Sequence, residues 1–527
     1  MKFKHSIQCA YALLVLLSLV GCQDLEEDPK SELTPGNYLN NEVEMEGAVA
    51  SMYSAFALST SGYGTTFKQT SYFGSDDITT DPGLNKANMR DFDRFAGTSD
   101  NPWSNRQWTA PWSTITQANF ILDNIEGVTA SQTYLDEAAG QAYFMRGMCY
   151  YYMVRTYGKV PIVVSSIFDL SVQPDRAPVQ DVYSLIISDL KMAETLLPRS
   201  FDSQPGKATD LAATSLLADV YLTMTGHPLN DTSKYVLSAA AAKTVMGADA
   251  YTLVASYAEV FQTNGNSEAI FATWHNVDGG MRNRAFGSTA TPLEEKAASG
   301  SGGWQDFYAE ITFFENAPVC SRTDDTFYTT LKIRQDDGTT NLVDWDDLST
   351  RVRHPYYQKF RAGLGDGVVE TDTEILEINP STNKNFDVIR YPAVLLNYAE
   401  SSAMAGSGPT AESYAAINEV RNRAGLPPLT PGLSQIDFRD AVVYERAYEF
   451  AAEFGIRWFD IVRLQLLPEV LAARNKDVLI IDGVEIPREN PPSAAVLADE
   501  TNFYLAPIPN NEMSRNPDWD QNPGYGR

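Results

Sequence analysis

The chain has 527 residues, 43% of them hydrophobic and 11% aromatic, enough for a large core and two or more structural lobes. A formal net charge of −28 argues against nucleic acid or an anionic lipid surface as partner, because both need a basic face. Four cysteines without metal-ligand spacing exclude a disulfide scaffold and a thiolate metal site.

Two lysines in the first five residues precede an apolar run over 10–20 (AYALLVLLSLV), closed by Gly21 and Cys22. A basic start, a short apolar stretch and small residues at its end describe an export signal over 1–21. The run is too short to cross a bilayer, which needs about 20 residues. Leu19-Val20-Gly21-Cys22 matches the bacterial lipobox, whose thiol takes up a diacylglycerol. Cys22 is therefore the expected lipidation site, and the segment over 22–40 the lipidated tether. Each buried methylene contributes ~0.8 kcal/mol, so more than one chain makes such an anchor durable.

Helical segments follow, and 41–255 reads as the N-terminal part of a scaffold. Helices are predicted at 42–58, 108–125, 134–157, 179–197, 210–225 and 233–246. Over 108–125 the residues Trp108, Trp112, Ile115, Asn119 and Leu122 fall on one helical stripe, which marks Trp108 as core. The helix over 134–157 closes at Gly158 and Pro161, as a helix end should. Small residues such as Ala138, Ala142, Ala213 and Ala218 recur inside these helices, where close packing needs them. Paired helices of this length read as a degenerate tetratricopeptide-like array.

The texture changes after Ser256. A short strand is expected at 268–271, and 273–303 and 324–377 are loop-like, with acidic clusters at Asp336-Asp337 and 344–347. The span 256–386 reads as a loop-rich insertion laid over the scaffold and forming the ligand face. Helices return at 388–404, 411–424 and 436–466, so 387–527 completes the scaffold. Ser434 and Asp437 have capping-box spacing ahead of the last. Along it, Glu453–Arg457 and Arg446–Glu449 have the spacing of intrahelical ion pairs.

Reactive constellations are missing. After the signal only His227, His275 and His354 remain, and they are scattered. No HExxH, CxxC or phosphate loop ending in GK[ST] occurs, and 299–303 does not fit a nucleophile elbow. The glycines of 363–367 lack the following helix of a nucleotide motif. Chance alone pairs carboxylates in so acidic a chain, so a glycoside hydrolase is the weaker alternative. The acidic clusters lack EF-hand spacing. We expect no catalytic residue, metal or cofactor, and a binding protein rather than an enzyme.

Aromatic rings in loops are abundant instead. Trp103, Trp274 and Trp304 lie outside the periodic apolar stretches, among amide, carboxylate and guanidinium groups. Flat rings beside hydrogen-bonding groups suit sugars, whose ring faces are apolar and whose rims are hydroxyls. The expected ligand-binding residues are Trp103, Trp274 and Trp304, with Asp76, Asn101 and Arg282 as polar neighbours.

Several stretches together resemble one family: the lipobox with its acidic start, Trp108-x3-Trp112-x2-Ile115-x2-Ala118-Asn119, "YFMRGMCYYYMVRTYGKVP", "VIRYPAVLLNYAESSA", "INEVRNRAGLPPLT", "ERAYEFAAEFGIRWFDIVRL" and "YLAPIPNNEMSRNPDWDQNPGY". In this order they resemble the SusD/RagB outer-membrane nutrient-uptake lipoproteins, nearly end to end. The resemblance implies a mainly α fold, a tetratricopeptide-like helical-hairpin scaffold bearing an irregular, loop-rich ligand-binding region. It further implies a lipid-anchored protein on the outer face of the cell outer membrane, closing as a lid over a SusC-like TonB-dependent transporter. Members bind oligosaccharides or, in a RagB-like branch, peptides. The shared motifs lie in the scaffold, so the resemblance transfers no ligand contact.

Overall fold

The structure, a computed structural model, describes residues 39–57, 74–81, 83–167, 174–201, 206–275, 287–296, 302–361, 384–453, 455–474, 479–481, 484–486 and 491–526. The export signal, Cys22, Arg282 and the glycines of 363–367 lie outside them.

Six long helices come first: α1 (Glu42–Ala57), α2 (Pro102–Asn124), α3 (Gln132–Tyr157), α4 (Val179–Leu196), α5 (Asp210–Met224) and α6 (Lys234–Met246). After the irregular middle come α7 (Tyr391–Ala405), α8 (Ala411–Arg423), α9 (Gln435–Glu449), α10 (Ile456–Leu464) and α11 (Leu467–Arg474). Their starts are written locally. Asn101 accepts from the Trp103 amide at 2.9 Å with Pro102 behind it, Ser131 accepts from Tyr134 at 3.2 Å, and Thr209 accepts from Ala212 at 3.2 Å. Ser434 accepts from the Asp437 amide at 3.1 Å and donates to its carboxylate at 2.7 Å. Gly158, at φ 70°, ends α3 in a conformation that β-carbons disfavour.

Each scaffold helix packs on the next from α1 to α8, and α7 also packs on α9. The result is a series of packed helical pairs around one apolar core that runs from Leu39 to Trp519. Ala142, Ala213 and Ala218 are fully buried and let neighbouring helix axes approach. The stripe on α2 faces inward, with Trp108, Ile115 and Asn119 all buried. No described helix is long and apolar enough to cross a membrane.

The middle of the chain leaves the scaffold after α6 and returns at α7, yet α6 and α7 pack directly on each other. Its short strands are β2 (Ala269–Thr273), β3 (Tyr308–Ala309), β4 (Phe327–Tyr328), β5 (Thr330–Arg334), β6 (Thr340–Asp344), β7 (Tyr356–Tyr357) and β8 (Phe386–Arg390), and β1 (Ile78–Thr79) precedes them. β2 pairs with β8 antiparallel, tying together the two ends of this lobe, while β1 pairs with β3. The span 324–377, expected as loop, contains the β5–β6 hairpin and the β4–β7 pair in its described part. Asp337 belongs to that hairpin's turn, where its carboxylate accepts from the Thr339 amide at 2.9 Å. Asp347 likewise accepts from Ser349 at 2.7 Å, so these acids shape turns.

Three helix boundaries differ from expectation. α2 begins at Pro102 rather than Trp108, because Asn101 caps it and the fixed φ of Pro102 suits a first helical turn. The stretch from Val388 begins as β8, because β-branched residues favour extended backbone, and Pro392 sets the start of α7 at Tyr391. The span 436–466 divides into α9 and α10, separated by Ala452 at φ 58° and Gly455 at φ 66°. Neither intrahelical ion pair forms: the break separates Glu453 from the helix of Arg457, while Arg446 and Glu449, both in α9, are each drawn to partners outside it. Glu449 and Glu453 bind Arg390 at 3.0 Å, and Arg446 turns to Glu400 at 3.0 Å and Asp460 at 3.2 Å. Carboxylates at these positions meet arginines from distant segments, which a local spacing rule does not see.

Candidate functional site

Trp304 stands on a framed segment. Gly303, Gln305 and Asp306 donate backbone hydrogen bonds to the carbonyls of Glu295, Thr291 and Thr289 at 3.4, 3.1 and 2.8 Å. A β-carbon at Gly303 would lie 2.1 Å from the carbonyl oxygens of both Thr291 and Pro292, so only glycine fits there. Gln305 takes φ 51°, and the chain turns so that Gln305 is fully buried while the Trp304 side of the turn stays 39% exposed.

The frame is polar and closed. The Gln305 amide donates to Asp81 and accepts from Tyr356 at 2.8 Å and from the Leu293 amide at 3.1 Å. Asp81 receives Nε and Nη2 of Arg351 at 3.0 and 3.2 Å. Burial pushes the Asp81 carboxyl upward, but donation from Arg351 and the Gly83 amide outweighs it and holds the group below its ordinary value. Lys86 pairs with Asp306, and Thr80 donates to the Asp306 carbonyl at 2.7 Å. Arg351 and Leu293 remain partly exposed beside this frame. The arrangement holds an exposed apolar ring and an exposed guanidinium on one frame whose carboxylates are buried, which suits a polar ligand with apolar faces.

The other expected residues fall elsewhere. Trp274 follows β2 directly, and its ring lies over two glycines: a β-carbon would be 2.9 Å from it at Gly206 and 3.2 Å at Gly265. It is 39% exposed. Trp103 sits in the first turn of α2, packed on the core with the Arg106 guanidinium 4.7 Å above its ring. Among the described ring contacts none joins any two of the three. Asp76 gives its two carboxylate oxygens to Nε and Nη2 of Arg457, each at 2.6 Å. Asn101 is buried, and besides capping α2 it donates to the Asn88 carbonyl at 2.9 Å. The polar atoms of both are thus engaged in bonds within the fold.

One concave feature escaped sequence reasoning. A cleft of about 570 Å³ is lined by Trp108, Trp112 and Trp519 with Gln117, Glu512 and Arg515. Trp108 packs edge-on against Tyr157 at 4.9 Å and is almost wholly buried. The W-x3-W spacing placed both rings of α2 on one face, but it could not show that the C-terminal segment stops short of covering them. Among the described residues no group of histidine, cysteine and acidic side chains is arranged to hold a metal ion.

Comparisons with known proteins agree on one family. The SusD family model matches residues 351–525, and a second model, described as starch-binding associating with outer membrane, matches residues 25–222. SusD-like protein P2 of Formosa agariphila is 27% identical, covering 97% of this chain and 98% of its own. A SusD homolog from Bacteroides thetaiotaomicron superposes with a TM-score of 0.79 at 24% identity, over 94% of this chain and 99% of that one. A laminarin binding SusD-like protein gives 0.70 at 22% identity, over 92% and 100%. At these identities the two structures speak for the fold.

Proposed function

The chain belongs to the SusD/RagB family, and on that premise we propose that it captures an oligosaccharide at the bacterial surface and does no chemistry on it. Lipidated at Cys22, it is held to the outer membrane and closes as a lid over a SusC-like TonB-dependent transporter. The description of the family model matching 25–222 and the glycan named for a structural neighbour support this reading. The observation that carries it is the half-exposed Trp304 ring on its hydrogen-bonded frame, because a stacking platform must be held open before the ligand arrives. Trp274 and Trp103 are secondary platforms.

A panel of glycans and peptides, followed by calorimetry, tests the proposal. Trp304→Ala is expected to lose ~2 kcal/mol of binding, roughly thirtyfold in affinity, with an unchanged melting temperature. Trp304→Ala binding like the wild type, or peptides binding where every glycan fails, overturns it. The anchor has its own test. Cys22→Ala should release folded protein from the membrane in cells lacking the transporter, and retention in the outer-membrane fraction refutes lipidation there.

A further inference from the structure

A second cavity, of about 300 Å³, lies where the C-terminal turn of α3 meets the starts and ends of α4, α5 and α10 and the segment over 520–523. Its lining inverts the charge of the molecule. Acidic residues outnumber basic ones 68 to 40 in the chain, yet Arg155, Lys159, Arg176 and Arg463 line this cavity against one carboxylate, Asp520. Arg463 is neutralised from behind, by Glu400 at 2.6 Å and Asp460 at 2.7 Å. Arg176 and Lys159 are not so matched.

Arg155 is held between the rings of Tyr151 and Phe459, at 3.7 and 3.8 Å, and pairs with Asp219 at 3.9 Å. That carboxylate already accepts from the Tyr151 hydroxyl at 2.7 Å. Arg176 donates to two uncharged oxygens, the Asn522 side chain at 3.1 Å and the Asp520 carbonyl. Burial outweighs the nearby Asp520 carboxylate and holds this guanidinium below its ordinary value. Lys159 is exposed at the mouth and forms no ion pair with a described residue. Low-dielectric walls of one sign focus the field inward, and guanidinium forks match oxyanions in shape as well as charge.

We propose that this cavity binds a small oxyanion, a carboxylate, sulfate or phosphate group, either free or carried on a sugar. Its volume sits at the small end of ligand pockets, room for one substituted ring and not for a chain. The site is separate from Trp304, and its test does not depend on the glycan reading.

Melting curves and calorimetry of the full chain with sodium sulfate, sodium phosphate, sodium glucuronate and glucose, each matched in ionic strength with chloride, decide the matter. We expect saturable binding of at least one oxyanion and none of glucose. Lys159→Gln and Arg176→Gln should each weaken that binding by about tenfold, while Arg439→Gln, a surface cation paired with Asp440, leaves it unchanged. Glucuronate binding without sulfate or phosphate assigns the site to a sugar-borne carboxylate, and equal binding of all three assigns it to the oxyanion alone. Melting shifts that follow ionic strength only, or a Lys159→Gln protein that binds like the wild type, overturn the proposal. Lys159 is exposed, so that variant folds whatever happens to Arg176.

Discussion

Asp76 and Arg457 meet across 381 positions of sequence, carboxylate to guanidinium fork, at 2.6 Å on both sides. The pair is part-buried, so removing one partner strands a charge that water reaches poorly. Arg457→Ala is expected to lower stability by about 3 kcal/mol, read in denaturant melts, without changing glycan affinity. Unchanged stability with lost binding would reassign Arg457 to the ligand site. Its neighbour Asp77 is wholly buried, and burial first, with the adjacent Asp76 adding, pushes its carboxyl up to about 6 against donations from Ser75 and the Ala452 amide. The folded form therefore holds this proton over pH 3.8 to about 6, where the unfolded chain has released it. The stabilising contribution of Asp77 is greatest below that window and falls as pH rises through it. Asp77→Asn keeps an acceptor for Ala452 and removes the titration. Relative to wild type the variant should gain stability from pH 4 to 6 and then level off. The gain reaches about 3 kcal/mol, since each tenfold difference in proton affinity between folded and unfolded chain is worth ~1.4 kcal/mol. A difference that stays flat with pH refutes the assignment.

Helices were legible where their signals are local. Ser131, Thr209 and Ser434 each cap a start and Gly158 marks an end, and the boundaries of α1, α3 to α6 and α8 fall close to those expected, whereas α2 starts at Pro102, well ahead of the apolar stripe that begins at Trp108. The division of 436–466 was legible only in Gly455, since apolar spacing continues across Tyr448, Phe450 and Trp458 and hides the break. The ion pairs were not legible at all. Arg390 sits at the β8–α7 junction and binds Glu268, Glu449 and Glu453, each at 3.0 Å, and none of the three is its neighbour in sequence. The candidate site was legible by residue type and not by role. Composition singled out Trp103, Trp274 and Trp304 alike, but exposure depends on what packs over each ring. The positive φ at Gln305 and the tight fit of Gly303 decide it for Trp304, and both are set by the carbonyls of Thr291 and Pro292.

The buried charge network also governs how the molecule unfolds. From the lobe come Glu268, Arg322, Lys359 and, at the end of β8, Arg390, and from the scaffold Glu445, Glu449, Glu453 and Arg423. Arg322 reaches Glu445 at 2.6 Å and Glu449 at 3.1 Å with both side chains out of contact with solvent. Glu449 remains ionised: burial opposes it, but Arg423, Arg390 and Arg322 together hold its carboxyl down at about 2. Separating lobe from scaffold would leave several of these charges unpaired in an apolar core, which costs far more than opening either part alone recovers. Lobe and scaffold should therefore melt together, in one calorimetric transition, with fluorescence and far-ultraviolet dichroism following one curve. Arg322→Met removes a lobe residue's charge and leaves Glu445 and Glu449 short of a partner. It should lower that single transition by about 3–5 kcal/mol and shift both probes equally. Two separated transitions in the wild type, or a variant in which fluorescence moves while the helical signal holds, would mean that the lobe folds on its own and that the network does not couple it to the scaffold.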